Sequence, residues 1–230
     1  MKRFGIIGGV GPESTIVYYR SIIRVALQLS SGAAPPVLIN SIDLRTVLRL
    51  VEDNALAALT DYLVVEIEAL AHADASLALI AANTPHIVFE EVCARSPIPL
   101  VSIVEATRDA VQQRGLHRVA LFGTKFTMQG RFYPEVFSHS GIELVRPRDD
   151  ELSFIHEAYV GELLQNVFRP ETRDRFLAIV QALKDRDRVQ AVILAGTELP
   201  LLLTKESTST LPLLDTTEIH VMAAINQLWG

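Results

Sequence analysis

Short apolar runs alternate along this chain with longer amphipathic stretches, and the alternation runs through twice. Residues 4–7, 37–42, 77–81 and 97–102 read as strands. Between them, 14–29 and about 55–71 carry helical periodicity, and 87–94 is a short helix. The pattern restarts with a strand at 118–122, a helix at 127–138 and a strand at 142–145. Helices at 151–168 and 171–185, strands at 190–194 and 211–214, and a last helix at 216–228 complete it. Repeated strand–helix order predicts parallel strands joined by right-handed helical crossovers. The fold class expected is α/β, with two similar domains, each a mostly parallel sheet flanked by helices.

The chain has 230 residues, 49% of them hydrophobic, enough for a substantial core. Its formal net charge is −6 and it carries no basic stripe, which argues against nucleic acid as a partner. No apolar run reaches the length of a membrane span. The opening Met1-Lys2-Arg3-Phe4 is not read as a leader, because Gly8, Gly9, Gly11 and Pro12 interrupt the apolar run that follows. Cys93 is the single cysteine, so no internal disulfide can form, and a reducing cytoplasm is the expected location.

Chemistry is expected at the loops that follow strands, since open α/β sheets bind ligands beyond the carboxyl ends of their strands. The first such loop runs from Gly8 to Thr15. Its glycines permit a tight turn into a helix whose free N–H groups suit an anion. It has neither the G-x-G-x-x-G spacing of a dinucleotide site nor a Walker lysine, and a plain strand–helix turn explains it about as well. Asn83-Thr84-Pro85-His86 follows the third strand, and its amide and hydroxyl suit a carboxylate or ammonium group, although a helix cap alone accounts for them. Thr124 and Thr127 follow the strand at 118–122, and Gly196-Thr197-Glu198 follows the strand at 190–194. Taken together, four strand-end loops rich in hydroxyls and amides point to a small polar, anionic ligand.

Other candidates carry less. The six histidines are scattered without metal-ligand spacing, so no metal site is expected. Cys93, between Glu91 and Arg95, reads as a packing or surface residue. Asp215, ahead of Thr216-Thr217, reads as a helix cap or as a residue that orients His220.

In order along the chain, Gly5-Ile6-Ile7-Gly8-Gly9 with Pro12-Glu13-Ser14-Thr15 and Tyr18-Tyr19, Asn40-Ser41 with Asp43, and Asn83-Thr84 with His86 form the first part of a recognisable set. Gly123-Thr124 with Thr127-Met128 and Phe132-Tyr133, Thr197-Glu198-Leu199-Pro200, and Asp215-Thr216 with Ile219-His220 complete it. This ordered set resembles the cofactor-independent aspartate/glutamate racemase family over nearly the whole chain. The resemblance implies two α/β domains, 1–105 plus 208–230 and 106–207, with the ligand in a cleft between them. It implies that Asn83, Thr84, Thr124, Thr127, Thr197 and Glu198 bind a small carboxylate or acidic amino acid. It further implies a homodimer and no pyridoxal phosphate or other cofactor.

The departures from that family fall on its chemistry. Family members carry a cysteine, sometimes a threonine, just before the Asn-Thr pair and a second cysteine just before the Thr-Glu pair; here Ala82 and Gly196 stand there. Leu164 falls near a position where many members carry a lysine. A positioned acid or base contributes about 10²–10⁴-fold to such a reaction, and neither alanine nor glycine has a proton to exchange. Two-thiol racemisation is therefore not expected. The alternatives are isomerisation, elimination or decarboxylation of a small acid, a non-catalytic metabolite binder, or a racemase inactivated by engineering. Candidate proton carriers for the enzyme readings are Glu13, His86 and Thr197, with Asp43 and His220 behind them.

Overall fold

A computed structural model describes residues 2–29, 34–204 and 211–229. The described residues divide into two compact units, Met1–Ala106 with Thr217–Gly230, and Thr107–Thr216.

In the first unit the chain runs β1 (Phe4–Gly8), α1 (Pro12–Leu29), β2 (Val37–Ser41), α2 (Leu44–Glu52), α3 (Leu56–His72) and β3 (Leu77–Ile80). A 3-10 turn (Thr84–Val88), α4 (Phe89–Arg95), β4 (Leu100–Val101) and the start of α5 (Ile103–Gln113) follow. All strand pairs are parallel, in the order β2-β1-β3-β4. The two central strands are buried at every residue, which is why they read as unbroken apolar runs. Phe4, Ile6, Leu77, Leu79, Tyr18, Ile22 and Val25 form the core on one side of this sheet, together with Val221, Ala224, Ile225 and Leu228. Those last four belong to α11 (Thr216–Trp229), so the closing helix completes the first unit.

In the second unit the order is β5 (Arg118–Gly123), α6 (Lys125–Gln129), α7 (Phe132–Ser138), β6 (Glu143–Val145) and α8 (Asp149–Gly161). A 3-10 turn (Leu163–Gln165), α9 (Pro170–Asp187), β7 (Ala191–Ala195), α10 (Leu199–Leu202) and β8 (Leu213–Asp215) follow. The strands are again parallel, in the order β6-β5-β7-β8. The two sheets thus share one topology, with β5 in the place of β1 and β7 in the place of β3.

Several expectations need correction. A helix at Leu44–Glu52 precedes the long one; Asp43 caps it by accepting from the Arg45 and Thr46 N–H groups. The helix expected at 127–138 is two helices, broken at Gly130 and Arg131. The one expected at 151–168 ends at Gly161 and gives way to a 3-10 turn. The strand expected at 97–102 pairs only over Leu100–Val101, since Pro97 and Pro99 have no N–H for the ladder. The expected boundary at 208 also moves. Residues 208–210 lie outside the described residues, and β8 bonds along β7, so Leu213 to Asp215 join the second sheet. Only from Thr217 does the chain belong to the first unit.

Candidate functional site

In each sheet the chain leaves the first strand toward one edge and returns to add its third strand on the other side. The loops after β1 and β3 therefore leave from neighbouring strands, as do those after β5 and β7. Such a switch in direction opens room for a ligand at the carboxyl edge. The residues singled out from the sequence stand mostly at these edges.

In the first unit, the loop after β1 is closed by Thr15. Its hydroxyl accepts from the Gly9 N–H at 2.8 Å and donates to the Gly11 carbonyl at 3.4 Å. Gly9 has φ +84°, and a Cβ on it would strike the backbone of Ile42, which itself bonds to Gly8. This loop thus holds β1 against the chain leaving β2. One of its N–H groups is already taken by Thr15, and Glu13, exposed in the first turn of α1, supplies a negative charge to the helix N-terminus. Asn40 donates to both the main chain and the carboxylate of Glu66, at 3.0 and 2.6 Å, so its amide is committed to α3.

After β3 the chain passes through Ala82 to Asn83, which is buried, and Thr84, which opens the 3-10 turn. His86 pins this turn. Its Nδ1–H donates to the Ala82 carbonyl at 2.9 Å, and its Nε2 accepts from the Ile103 N–H at 3.2 Å. His220, from α11, lies beside it with ring centroids 5.9 Å apart. It accepts from the Tyr18 hydroxyl at Nδ1 and donates from Nε2 to the Val101 carbonyl, each at 2.9 Å. Both rings are buried with both nitrogens engaged. Burial, reinforced by the nearby His220, holds His86 down to about 3, and burial alone holds His220 down to about 4. They are neutral struts that lock α1, α11, β4 and the 84–88 turn together. Asp43, also weighed as a proton carrier, is held below the usual carboxylate range, chiefly by its bond from Thr46 within the cap.

In the second unit, Thr124 caps α6 by accepting from the Thr127 N–H at 3.3 Å, and the two hydroxyls lie 3.2 Å apart. The Lys125 N–H donates to His156 Nδ1 at 3.1 Å. After β7, Thr197 and Glu198 are both buried, and the Thr197 hydroxyl donates to Glu198 Oε2 at 2.9 Å. The same oxygen accepts from the Tyr159 hydroxyl at 2.5 Å. Burial, and after it the negative charge of Glu198, pushes the Tyr159 phenol well above its ordinary value. Tyr159 was not legible as a site residue, since it sits mid-helix on α8, and only its distant packing against the 196–198 turn marks it. Asp215 ends β8, and Thr216 donates to the Leu194 carbonyl at 3.0 Å, stitching β8 to β7.

Cys93 lies on α4, away from these turns in sequence, and its thiol is pushed up to about 11 by burial, then by Glu105 and Glu90. No group of three or more His, Cys, Asp or Glu placed to hold a metal occurs among the described residues. No helix among them is long and apolar enough to cross a membrane.

This arrangement has counterparts. The family described as Asp/Glu/Hydantoin racemase matches residues 7–224. A crystal structure of a candidate Asp/Glu racemase from Yersinia pestis is 30% identical, with a TM-score of 0.91 and 100% of both chains covered. An aspartate racemase homologue from Pyrococcus horikoshii is 31% identical, with a TM-score of 0.88 and the same full coverage. A glutamate racemase from Francisella tularensis, solved in complex with D-glutamate, shares the fold at 17% identity and a TM-score of 0.68, with 99% of this chain and 81% of that one covered.

Proposed function

Since this chain belongs to the Asp/Glu/hydantoin racemase family, we propose that it binds a small carboxylate or acidic amino acid at its strand-end loops, without the two-thiol racemisation of its family. The observation that carries the reading is the side-chain content of those loops. Asn83 and Thr84 after β3, Thr124 and Thr127 after β5, and Thr197 after β7 put amide and hydroxyl groups at the carboxyl edges of two parallel sheets. Amide and hydroxyl donors suit carboxylate oxygens, while the Thr197 hydroxyl, whose proton goes to Glu198, offers its lone pairs to an ammonium group. The residues that precede Asn83 and Thr197 are Ala82 and Gly196, which have no proton to exchange.

The proton carriers proposed from sequence are not equal in this light. His86 and His220 have both ring nitrogens engaged, and Asp43 is spent on a helix cap. Glu13, with its carboxylate exposed, and the Thr197–Glu198 turn remain as groups for isomerisation, elimination or decarboxylation of a small acid. We carry this as the second reading. Neither reading calls for a cofactor, and family membership supports a homodimer in the cytoplasm.

Titration calorimetry with D- and L-aspartate, D- and L-glutamate, succinate and maleate tests the proposal. Binding of at least one of these acids at millimolar concentration or below is the expected result; silence from all of them refutes it. Light scattering gives the oligomeric state, and a monomer at micromolar concentration would count against the dimer.

A further inference from the structure

At position 196 the lack of a side chain has a specific cause. Gly196 is buried just beyond β7, and it is not among the glycines at positive φ, so the backbone does not call for glycine. The neighbouring space does. A Cβ on Gly196 would lie 2.5 Å from the Tyr159 hydroxyl oxygen, 2.6 Å from its Cε2 and 2.8 Å from its Cζ. Tyr159 is not free to step aside. It is 6% exposed and packed in the core of the second unit with Ile155, Leu194 and Leu199. Its hydroxyl is tied to Glu198, which also holds Thr197. Glu198 and Thr197 are the two residues that follow Gly196, so the turn that lacks a side chain is the turn that grips the tyrosine.

We propose that Tyr159 is a specificity-determining residue that has taken over the place of the side chain at 196: its hydroxyl, held by Glu198, stands where that side chain would stand, and its ring bars a thiol from the position. This rests on the reading above that the turn after β7 meets a small acid. A ligand at that turn meets a phenol hydrogen-bonded to a carboxylate in place of a thiol. The phenol proton points at Glu198 and Thr197 also bonds to the phenol, so a ligand's ammonium or hydroxyl group would meet an oxygen already held by this turn, and the phenol stays protonated at neutral pH. Restoring cysteine at 196 by itself therefore supplies a thiol without the room to place it.

Thermal unfolding of four proteins tests the packing: the parent, Gly196→Ala, Tyr159→Leu, and the two together. The expected result is a drop in Tm of several degrees for Gly196→Ala that is largely cancelled in the Tyr159→Leu background, because overpacking is relieved when the ring is gone. Tyr159→Phe, which keeps Cε2 and Cζ, should cancel less. A Gly196→Ala protein as stable as the parent, or losses that simply add, overturns the proposal. The second measurement is one that packing alone does not move. With L-aspartate in deuterated water, the Ala82→Cys/Gly196→Cys protein should leave the Cα proton in place, and adding Tyr159→Leu should raise exchange at least ten-fold. Equal rates in the two, zero included, refute the specificity role. Calorimetry on the parent decides the earlier reading separately, since a chain that binds no acid sinks that reading while the unfolding cycle still decides the place of Tyr159.

Discussion

The Tyr18 hydroxyl donates to Nδ1 of His220 across 2.9 Å, and His220 in turn donates to the Val101 carbonyl, so one buried neutral imidazole joins α1, α11 and β4. A second neutral ring, His86, does the same for the 84–88 turn and the start of α5.

These two rings make the fold sensitive to acid. In the unfolded chain each histidine takes a proton near its ordinary value of 6.5, but in the folded chain only near about 4 for His220 and about 3 for His86. Their contribution is complete above pH 6.5 and is lost as the pH falls from there toward the folded values, because the unfolded state binds the protons first. At roughly 1.4 kcal/mol per unit, each ring accounts for about 3 kcal/mol or more of that loss, a large share of a typical domain stability. Thermal unfolding followed by circular dichroism at pH 8, 7, 6 and 5 should show Tm level at first and then falling steadily below pH 6.5. A flat profile down to pH 5 would contradict the assignment. Tyr18→Phe, which leaves Nδ1 without its donor, should cost about 1–3 kcal/mol at neutral pH.

Binding should depend on the strand-end amides and hydroxyls. Replacing Asn83 or Thr197 by alanine is expected to weaken the best-bound acid by about 1–3 kcal/mol, the usual cost of an unmade polar contact in a buried site. Calorimetry measures this directly. Alanine variants that bind as tightly as the parent would place the ligand elsewhere.

Racemisation should be absent or slow. With Ala82 and Gly196 in the two positions, and His86 and His220 locked as neutral struts, the chain should neither exchange the Cα proton of aspartate or glutamate nor invert either acid. Deuterium incorporation followed by chiral chromatography gives the answer, and rapid exchange with inversion would overturn it.

Cys93 should be a poor nucleophile despite its exposure. A thiol held near 11 carries about a hundred-fold less thiolate at neutral pH than one at its ordinary value of 9.0. Its alkylation by iodoacetamide at pH 7.5 should lag far behind that of free glutathione. Matching rates would show that neither its partial burial nor the charges of Glu105 and Glu90 hold the thiol up.

The legible part of this fold is the part governed by local pattern. β1, β3, β5 and β7 stand out in sequence because parallel strands buried on both faces need continuous apolar residues. The shared grammar of the Gly8–Thr15 and Gly123–Met128 segments corresponds to equivalent strands, β1 and β5. The helix at Leu44–Glu52 is legible too: Leu44, Val47, Leu48 and Val51 recur at helical spacing with Arg45, Arg49 and Glu52 between them, Asp43 stands at its cap, and only its nine-residue length and shallow burial, at Val47 and Val51, make it easy to pass over. The polar donors at the carboxyl edges could be listed from sequence, but not the prior commitments of several of them. That Asn40 belongs to Glu66, and His86 to Ala82 and Ile103, follows from residues brought together by packing. The same holds for Tyr159 and Gly196, thirty-seven positions apart, whose fit depends on how α8 lies against the end of β7.

The Lys2 ammonium donates to the Leu228 carbonyl at 2.6 Å, so the start and finish of the described chain meet on the same unit. The second unit is then one uninterrupted insertion within the first, entered after Ala106 and left after Thr216. A circularly permuted chain, with Lys2 and Leu228 brought into one segment by a short linker, should keep both cores. Deleting α11 should instead strip Val221, Ala224, Ile225 and Leu228 from the first unit and His220 from its strut. Ribosomal synthesis therefore delivers the second unit whole before the first has all of its parts, and the first can close its core only when α11 arrives.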